Sequence, residues 1–376
     1  IRRLAEELGL SLTRILRTGF GYVRPDAAGK PRIVHRGAAR GWERLAKTIG
    51  GLTRRYGLAE QRWDSPIAAD LARRSLSKWL EDMRADDELR ATATGLRGFF
   101  LADPEELSLL AVVDQFASME DAAPSSNMYR IDGGNDRLAT TLAAPLGDRL
   151  RLKVELVAIS HRGRRVRAAL KEGRTVSQFT CDYVVLTLPA TVLRRVPITP
   201  ALPAQQHDAI ARLKYGRATK TLLQFDSRFW RGPGRPRAFG SLLPLGALWE
   251  ANEEQRGRAG ILALLAGGSA SDQTQAIAAK SGVRGLADGL DWLGSRNAEI
   301  VASRQIIWES DPWARGGYAF IDPTFEPPLR AWLARPCGRL FFAGEHTSLR
   351  WQGYMNGAVE SGRRAAAEVA AVHDLS

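Results

Sequence analysis

The apolar positions of the chain change period along its length, and each change marks a different kind of structure. In the first third they recur every three to four residues. Ile1, Leu4 and Leu8, stopped by Gly9, predict an amphipathic helix. Residues 19–24 read as a short strand or loop and 42–56 as a helix. Ser65-Pro66 places a cap before a proline at the first helical position, and Asp103-Pro104-Glu105-Glu106 repeats the device with acidic residues in the first turn. Leu107, Leu110, Val113 and Phe116 then share one helix face. Residues 21–130 are therefore predicted to be mainly helical.

From residue 151 the period is two. Strands over 151–159, 166–170 and 176–180, with turns at 161–163 and 171–174, make an antiparallel meander. The run 183–189 is apolar without alternation, as in a strand of a parallel sheet covered on both faces. A helix follows over 202–213, a strand over 218–225, a polar surface connection over 249–258, a strand over 261–266 and a helix over 273–293. The mixture predicts an α/β (α+β mixed) chain, and 376 residues favour two domains.

The densest signal lies near the end. Leu340, Phe341, Phe342 and Ala343 form a short apolar run that stops at Gly344, which reads as a buried strand ending where a backbone must come close to something. Glu345, His346 and Thr347 stand just beyond it. A carboxylate at the carboxyl end of such a strand can accept hydrogen bonds from the hydroxyls of a ligand. Gly353, Gly357 and Ser361 follow at intervals of four, a nearly side-chain-free stripe on a helix whose N-terminus would offer free N–H groups and partial positive charge.

Composition is that of a soluble globular chain, with 44% hydrophobic and 25% charged residues, and no apolar run has the length of a membrane span. A net charge of +13 raises nucleic acid or an acidic surface as a partner. The basic residues are mostly Arg and spread along the chain, and the concentrations at 162–167 and 228–237 accompany no nucleic-acid motif. Both read as solvated surface, and no nucleic-acid partner is expected. Cys181 and Cys337 lack metal or disulfide spacing, and the five histidines show no ligand spacing, so no metal is expected.

Segments 338–347 and 353–362 together resemble the C-terminal signature of the flavin-dependent amine oxidase family, which includes monoamine, polyamine and L-amino-acid oxidases. Further matches support the resemblance: Gly133-Gly134 before a helix, the meander with its return strand, and Tyr215-Gly216 then Lys220 then Phe229-Trp230 in order. It implies a two-domain fold, with residues 1–20, 131–209 and 311–376 in an FAD-binding domain and 21–130 with 210–310 in a substrate domain of helices and mixed sheet. It also implies non-covalent FAD, because no cysteine stands near Gly317, where family members that link flavin covalently carry one. Gly344, Glu345, Gly353, Tyr354, Met355 and Trp308 would contact the flavin, and Leu156 with Val157 the adenine.

Three residues would serve the chemistry. Lys220 would reach the flavin through water, while Tyr354, with Tyr318 opposite, would wall the substrate amine; on spacing alone a core role for either tyrosine is the alternative. The family's Gly-x-Gly-x-x-Gly pyrophosphate loop is not in residues 1–376, so the chain is expected to lack an N-terminal dinucleotide-binding segment and to be inactive as it stands. The implied reaction takes an amine to an imine, then aldehyde and ammonia, reducing dioxygen to hydrogen peroxide. An L-amino-acid oxidase, which needs an arginine for the substrate carboxylate, a desaturase of the same superfamily and a non-catalytic basic binding protein are the alternatives. A cytoplasmic location and a homodimer complete the expectations.

Overall fold

The computed structural model describes residues 1–33, 37–120 and 127–374. The chain opens with α1 (Arg2–Glu7), β1 (Leu12–Ile15), β2 (Phe20–Pro25) and β3 (Pro31–Ile33). Six helices follow: α2 (Gly37–Leu58), α3 (Pro66–Ala72), α4 (Leu76–Asp82), α5 (Asp87–Thr94), α6 (Arg97–Phe100) and α7 (Leu109–Glu120). Ser65, Ser75 and Asp86 cap α3, α4 and α5, each accepting the amide three residues on. The apolar faces of these helices close on a core that includes Leu45, Ile49, Leu76, Leu89, Leu110 and Val113. The helical expectation holds over most of residues 37–120. Residues 20–33 instead join a sheet, where Tyr22 and Val23 are buried beside β-strand neighbours distant in sequence.

β4 (Met128–Ile131) returns to pair with β1, and α8 (Arg137–Ala143) follows. The meander is β5 (Val154–Ser160), β6 (Val166–Glu172) and β7 (Thr175–Cys181), antiparallel throughout as its period-two pattern requires. Then come β8 (Val184–Leu186), α9 (Ala190–Leu193), β9 (Ile198–Thr199), α10 (Ala204–Arg212) and β10 (Lys214–Tyr215). The last third holds β11 (Ala218–Phe225), β12 (Ala238–Ser241), β13 (Ala247–Glu250), β14 (Gly260–Gly267), α11 (Ser269–Ser281), β15 (Ile300–Ile307), β16 (Ala319–Phe320), α12 (Leu329–Trp332), β17 (Leu340–Phe342) and α13 (Met355–Asp374).

The largest sheet has seven strands in the order β15-β11-β14-β13-β12-β2-β3. Its fourth strand corrects the reading of 249–258 as a surface connection, because Trp249 and Glu250 sit in β13. Glu250 is completely buried, and it accepts from Arg228 Nη1 at 3.0 Å, from Trp230 Nε1 at 3.0 Å and from Arg231 Nη2 at 2.5 Å. Arg237 donates to the neighbouring Glu253 at 2.8 Å. The arginine-rich loop is thus turned inward by a buried carboxylate instead of lying solvated; a buried charge persists only when it is paired and hydrogen-bonded in this way.

A two-stranded parallel sheet carries the C-terminal signature. β17 pairs with β8, Phe341 opposite Val185, and Leu340, Phe341 and Phe342 are all buried. The helix behind it begins at Met355, so Gly353 precedes α13 instead of belonging to it. The small-residue stripe still docks the helix closely. A Cβ on Gly357 would fall 2.2 Å from the Trp351 carbonyl oxygen, and Ser361 Oγ accepts from the Gly344 amide at 2.9 Å.

Candidate active site

The site is assembled where β17 ends. Gly344 takes φ +125°, and a Cβ there would meet the His346 ring at 2.7 Å, so only glycine turns the chain here. Glu345 is thereby pointed into the protein, where burial raises its carboxyl above the usual range against the pull of two backbone amides and Arg330. Its Oε1 accepts from the amide of Ala319 at 3.1 Å, and its Oε2 from the amide of Gly353 at 2.6 Å. Ala319 follows Tyr318 and Gly353 precedes Tyr354. One carboxylate therefore ties together two tyrosine-bearing segments that are distant in sequence, while each oxygen keeps capacity for a further donor.

The two tyrosines line one cavity of about 110 Å³ together with Trp63, Phe99, Phe100, Asp114 and Gln115. That volume holds several non-hydrogen atoms, well beyond a single water. Gly353, at φ +79°, leaves room for Tyr318: a Cβ would stand 3.3 Å from its Cδ2. The Tyr318 hydroxyl donates to the Phe99 carbonyl, and the Tyr354 ring meets Phe99 edge-on at 6.1 Å and Trp351 at 5.9 Å. Burial pushes the Tyr354 hydroxyl up to about 12, opposed by a hydrogen bond from the Gln115 side-chain amide, and raises Tyr318 as well. Both phenols are neutral at any ordinary pH.

Beside this cavity, α13 starts with Met355 and Asn356. Gly357 and Ala358 donate to the Tyr354 carbonyl, while the amides of Met355 and Asn356 have no backbone acceptor among the described residues. A 20-residue helix adds partial positive charge at this end. Free N–H groups beside an aromatic-walled cavity fit the polar edge and flat face of a flavin ring.

The other expected residues are spread more widely. Lys220 lies on β11 with Leu222 and Gln224 on the half-buried face; its ammonium stands 5.5 Å from the Trp249 ring, and burial together with the charge of Arg130 lowers its pKa. It is not among the residues lining the cavity. Trp308 is half-buried outside that lining, and its carbonyl accepts the Gly316 amide at 2.9 Å. Leu156 and Val157 sit half-buried in β5, where the register slips between Leu156 and Ala158 and leaves Val157 at an irregularity that re-aims the strand.

Three charged residues escaped the sequence reading, among them Arg350, an exposed residue of the cavity lining. Asp114 on α7 lines the cavity, and Arg330 on α12 is completely buried behind it. Arg330 donates through Nη1 to the His346 carbonyl at 2.7 Å and through Nη2 to that of Ser348, with its guanidinium 5.4 Å from the Trp63 ring. Burial pushes it down to about 10. A lone carboxylate within the apolar stretch 107–117 was the available signal for Asp114; nothing distinguished Arg330 among so many arginines.

A family model for flavin containing amine oxidoreductase matches residues 1–370. The chain belongs to that family. AofH of Mycobacterium tuberculosis H37Rv, which carries the name of a flavin-containing monoamine oxidase, is 26% identical over 328 residues, covering 82% of this chain and 69% of that protein. Among solved structures, cyclohexylamine oxidase from Brevibacterium oxydans superposes with a TM-score of 0.84 at 23% identity, over 99% of this chain and 85% of the other. A putrescine oxidase bound to putrescine gives 0.83 at 22%, over 98% and 85%. The fold is therefore that of the FAD-dependent amine oxidases, and a flavin is the cofactor the family implies. No described helix is long and apolar enough to cross a membrane.

Proposed function

We propose that the protein oxidises an amine to an imine with non-covalently bound FAD, dioxygen being reduced to hydrogen peroxide and the imine then hydrolysing to aldehyde and ammonia. The observation that carries this reading is the Glu345 carboxylate, which accepts from both Ala319 and Gly353 and so brings Tyr318 and Tyr354 to one cavity beside the free amides of α13. When bound, the flavin supplies the two-electron oxidation and the reaction with dioxygen. The chain's part is to orient and to exclude water. The tyrosine rings would hold the alkyl amine between two faces, and their high hydroxyl pKa values keep them from competing as bases. The amides of Met355 and Asn356 would hold the ring's polar edge. Lys220, with its ammonium half-buried and its pKa lowered, would serve the reacting face through water.

A second reading, oxidation of an L-amino acid, is favoured by Arg350 at the cavity, the arginine that spacing alone could not single out. Arg350 is exposed, however, whereas Asp114 is enclosed, and an enclosed carboxylate disfavours a second one. The test is peroxide release by the protein at its natural length, with FAD supplied. Phenethylamine is paired with L-phenylalanine, and tryptamine with L-tryptophan. The amine is expected to have the higher kcat/KM in both pairs; the reverse in both would put the amino-acid reading in its place.

A further inference from the structure

Asp114 is the only acidic residue among the described residues lining the cavity. Surrounding protein encloses it, yet it keeps accessible surface, as a side chain facing an internal space does. Its hydrogen bonding is incomplete. Oδ1 lies 2.9 Å from the Tyr56 hydroxyl, but that hydroxyl also lies 2.8 Å from the Gln61 carbonyl oxygen, and its single proton can serve only one of them. No described residue donates to Oδ2. Arg330, the nearest cation, spends its Nη atoms on the His346 and Ser348 carbonyls, so it offsets the charge of Asp114 without capping it. A carboxylate that can accept about four hydrogen bonds is left with at most one inside an otherwise largely aromatic space.

We infer that the substrate of this site carries a second, cationic nitrogen, and that Asp114 is the residue that receives it, so that diamines are preferred over monoamines. The inference rests on the amine-oxidase reading above. The nitrogen at Asp114 is not the one oxidised. An ammonium paired with a carboxylate holds its proton and has no lone pair to give, whereas the reacting nitrogen must be neutral. The reacting amine lies between Tyr318 and Tyr354 instead. The two positions are close, because Asp114 and the next residue on α7, Gln115, line the same cavity as Tyr318 and Tyr354, the two α7 side chains being turned about 100° from each other around the helix. A short carbon chain joining two nitrogens matches that arrangement, with the ring of Trp63 along the cavity wall to cover its methylenes.

The experiment compares 1,4-diaminobutane with butylamine and 1,6-diaminohexane with hexylamine, using the protein at its natural length with FAD. Peroxide release gives kcat and KM, and calorimetric titration under nitrogen with the flavin reduced beforehand, so that no amine is consumed, gives binding. Losing a charge-assisted hydrogen bond in a poorly solvated site changes affinity by roughly 10- to 100-fold. Diamines are therefore expected to exceed monoamines of equal length by that factor, mainly in KM and in the dissociation constant. Asp114→Asn should erase the preference. The comparison within the unmodified protein decides the matter even if the variant does not fold. Equal handling of diamines and monoamines would overturn the assignment of Asp114 while leaving amine oxidation standing; neither binding nor oxidation of any amine would overturn both.

Discussion

Replacing Asp114 with asparagine should make the protein more stable at pH 8 and leave it unchanged at pH 4. Burial raises the Asp114 carboxyl from its ordinary 3.8 to about 6, against the hydrogen bond from Tyr56 and the charge of Arg330. The upward shift of about 2 units corresponds to about 3 kcal/mol, at roughly 1.4 kcal/mol per unit. The sign follows from proton linkage. A carboxyl whose folded pKa is raised binds its proton more tightly in the fold, so its cost is absent below 3.8, grows between 3.8 and 6 and is complete above 6. Asparagine resembles the neutral acid, keeps an oxygen for the Tyr56 hydroxyl and never pays that cost. With an unfolding entropy of roughly 2.1 cal/mol/K per residue, 3 kcal/mol in a chain of 376 residues shifts the melting temperature by about 4 °C, a ceiling because cavity water screens the charge. Melting both proteins at pH 4, 6 and 8 isolates the effect, since Glu345 and His346 titrate alike in each. A variant less stable than the parent at pH 8 would refute the reasoning: Asp114 would then be the counter-ion that keeps Arg330 buried, a structural pair instead of a carboxylate retained at a cost for its ligand.

Glu345→Gln can accept only one of the two amides now held by the carboxylate and turns an NH₂ group toward the other, a loss of about 1–3 kcal/mol. A lower melting temperature together with a raised amine KM is expected, and an unchanged KM would detach the clip from the placement of Tyr318 and Tyr354. Acid precipitation of the flavin-loaded protein should leave the flavin in the supernatant, because Gly317 and its neighbours offer no thiol; a yellow pellet would contradict non-covalent binding.

Much of the fold was legible because its signals are local. The period-two run from residue 151 specifies a meander, Ser65 caps its own helix, and Leu340 to Ala343 read as a buried strand, although the Asp103-Pro104 signal heads no helix because α7 begins only at Leu109. Gly344 was equally readable, since a close approach leaves its mark at one position, whereas Gly353, read as part of the helix stripe, precedes α13 at φ +79°. That both tyrosines face the same cavity was not decided by their spacing. It depends on Glu345 reaching amides on either side of it in space, a contact across 26 residues in one direction and 8 in the other.

The charged residues show the same division more sharply. Sequence marks where a charge is, but its meaning depends on what the fold packs against it. Arg228, Arg231 and Arg237 look like a solvated basic loop until β13 brings the buried Glu250 and its neighbour Glu253 among them. Asp114 looks like one polar position on an apolar helix until α7 turns it toward the cavity, where its carboxylate has Tyr56 and Arg330 nearby and an oxygen still open. Hydrophobic period and backbone conformation are written residue by residue, so the sequence determined many of the elements and their order. Desolvation and pairing of charge depend on neighbours brought from elsewhere in the chain, so only the tertiary structure decided which carboxylates hold the protein together and which one is left to meet a ligand.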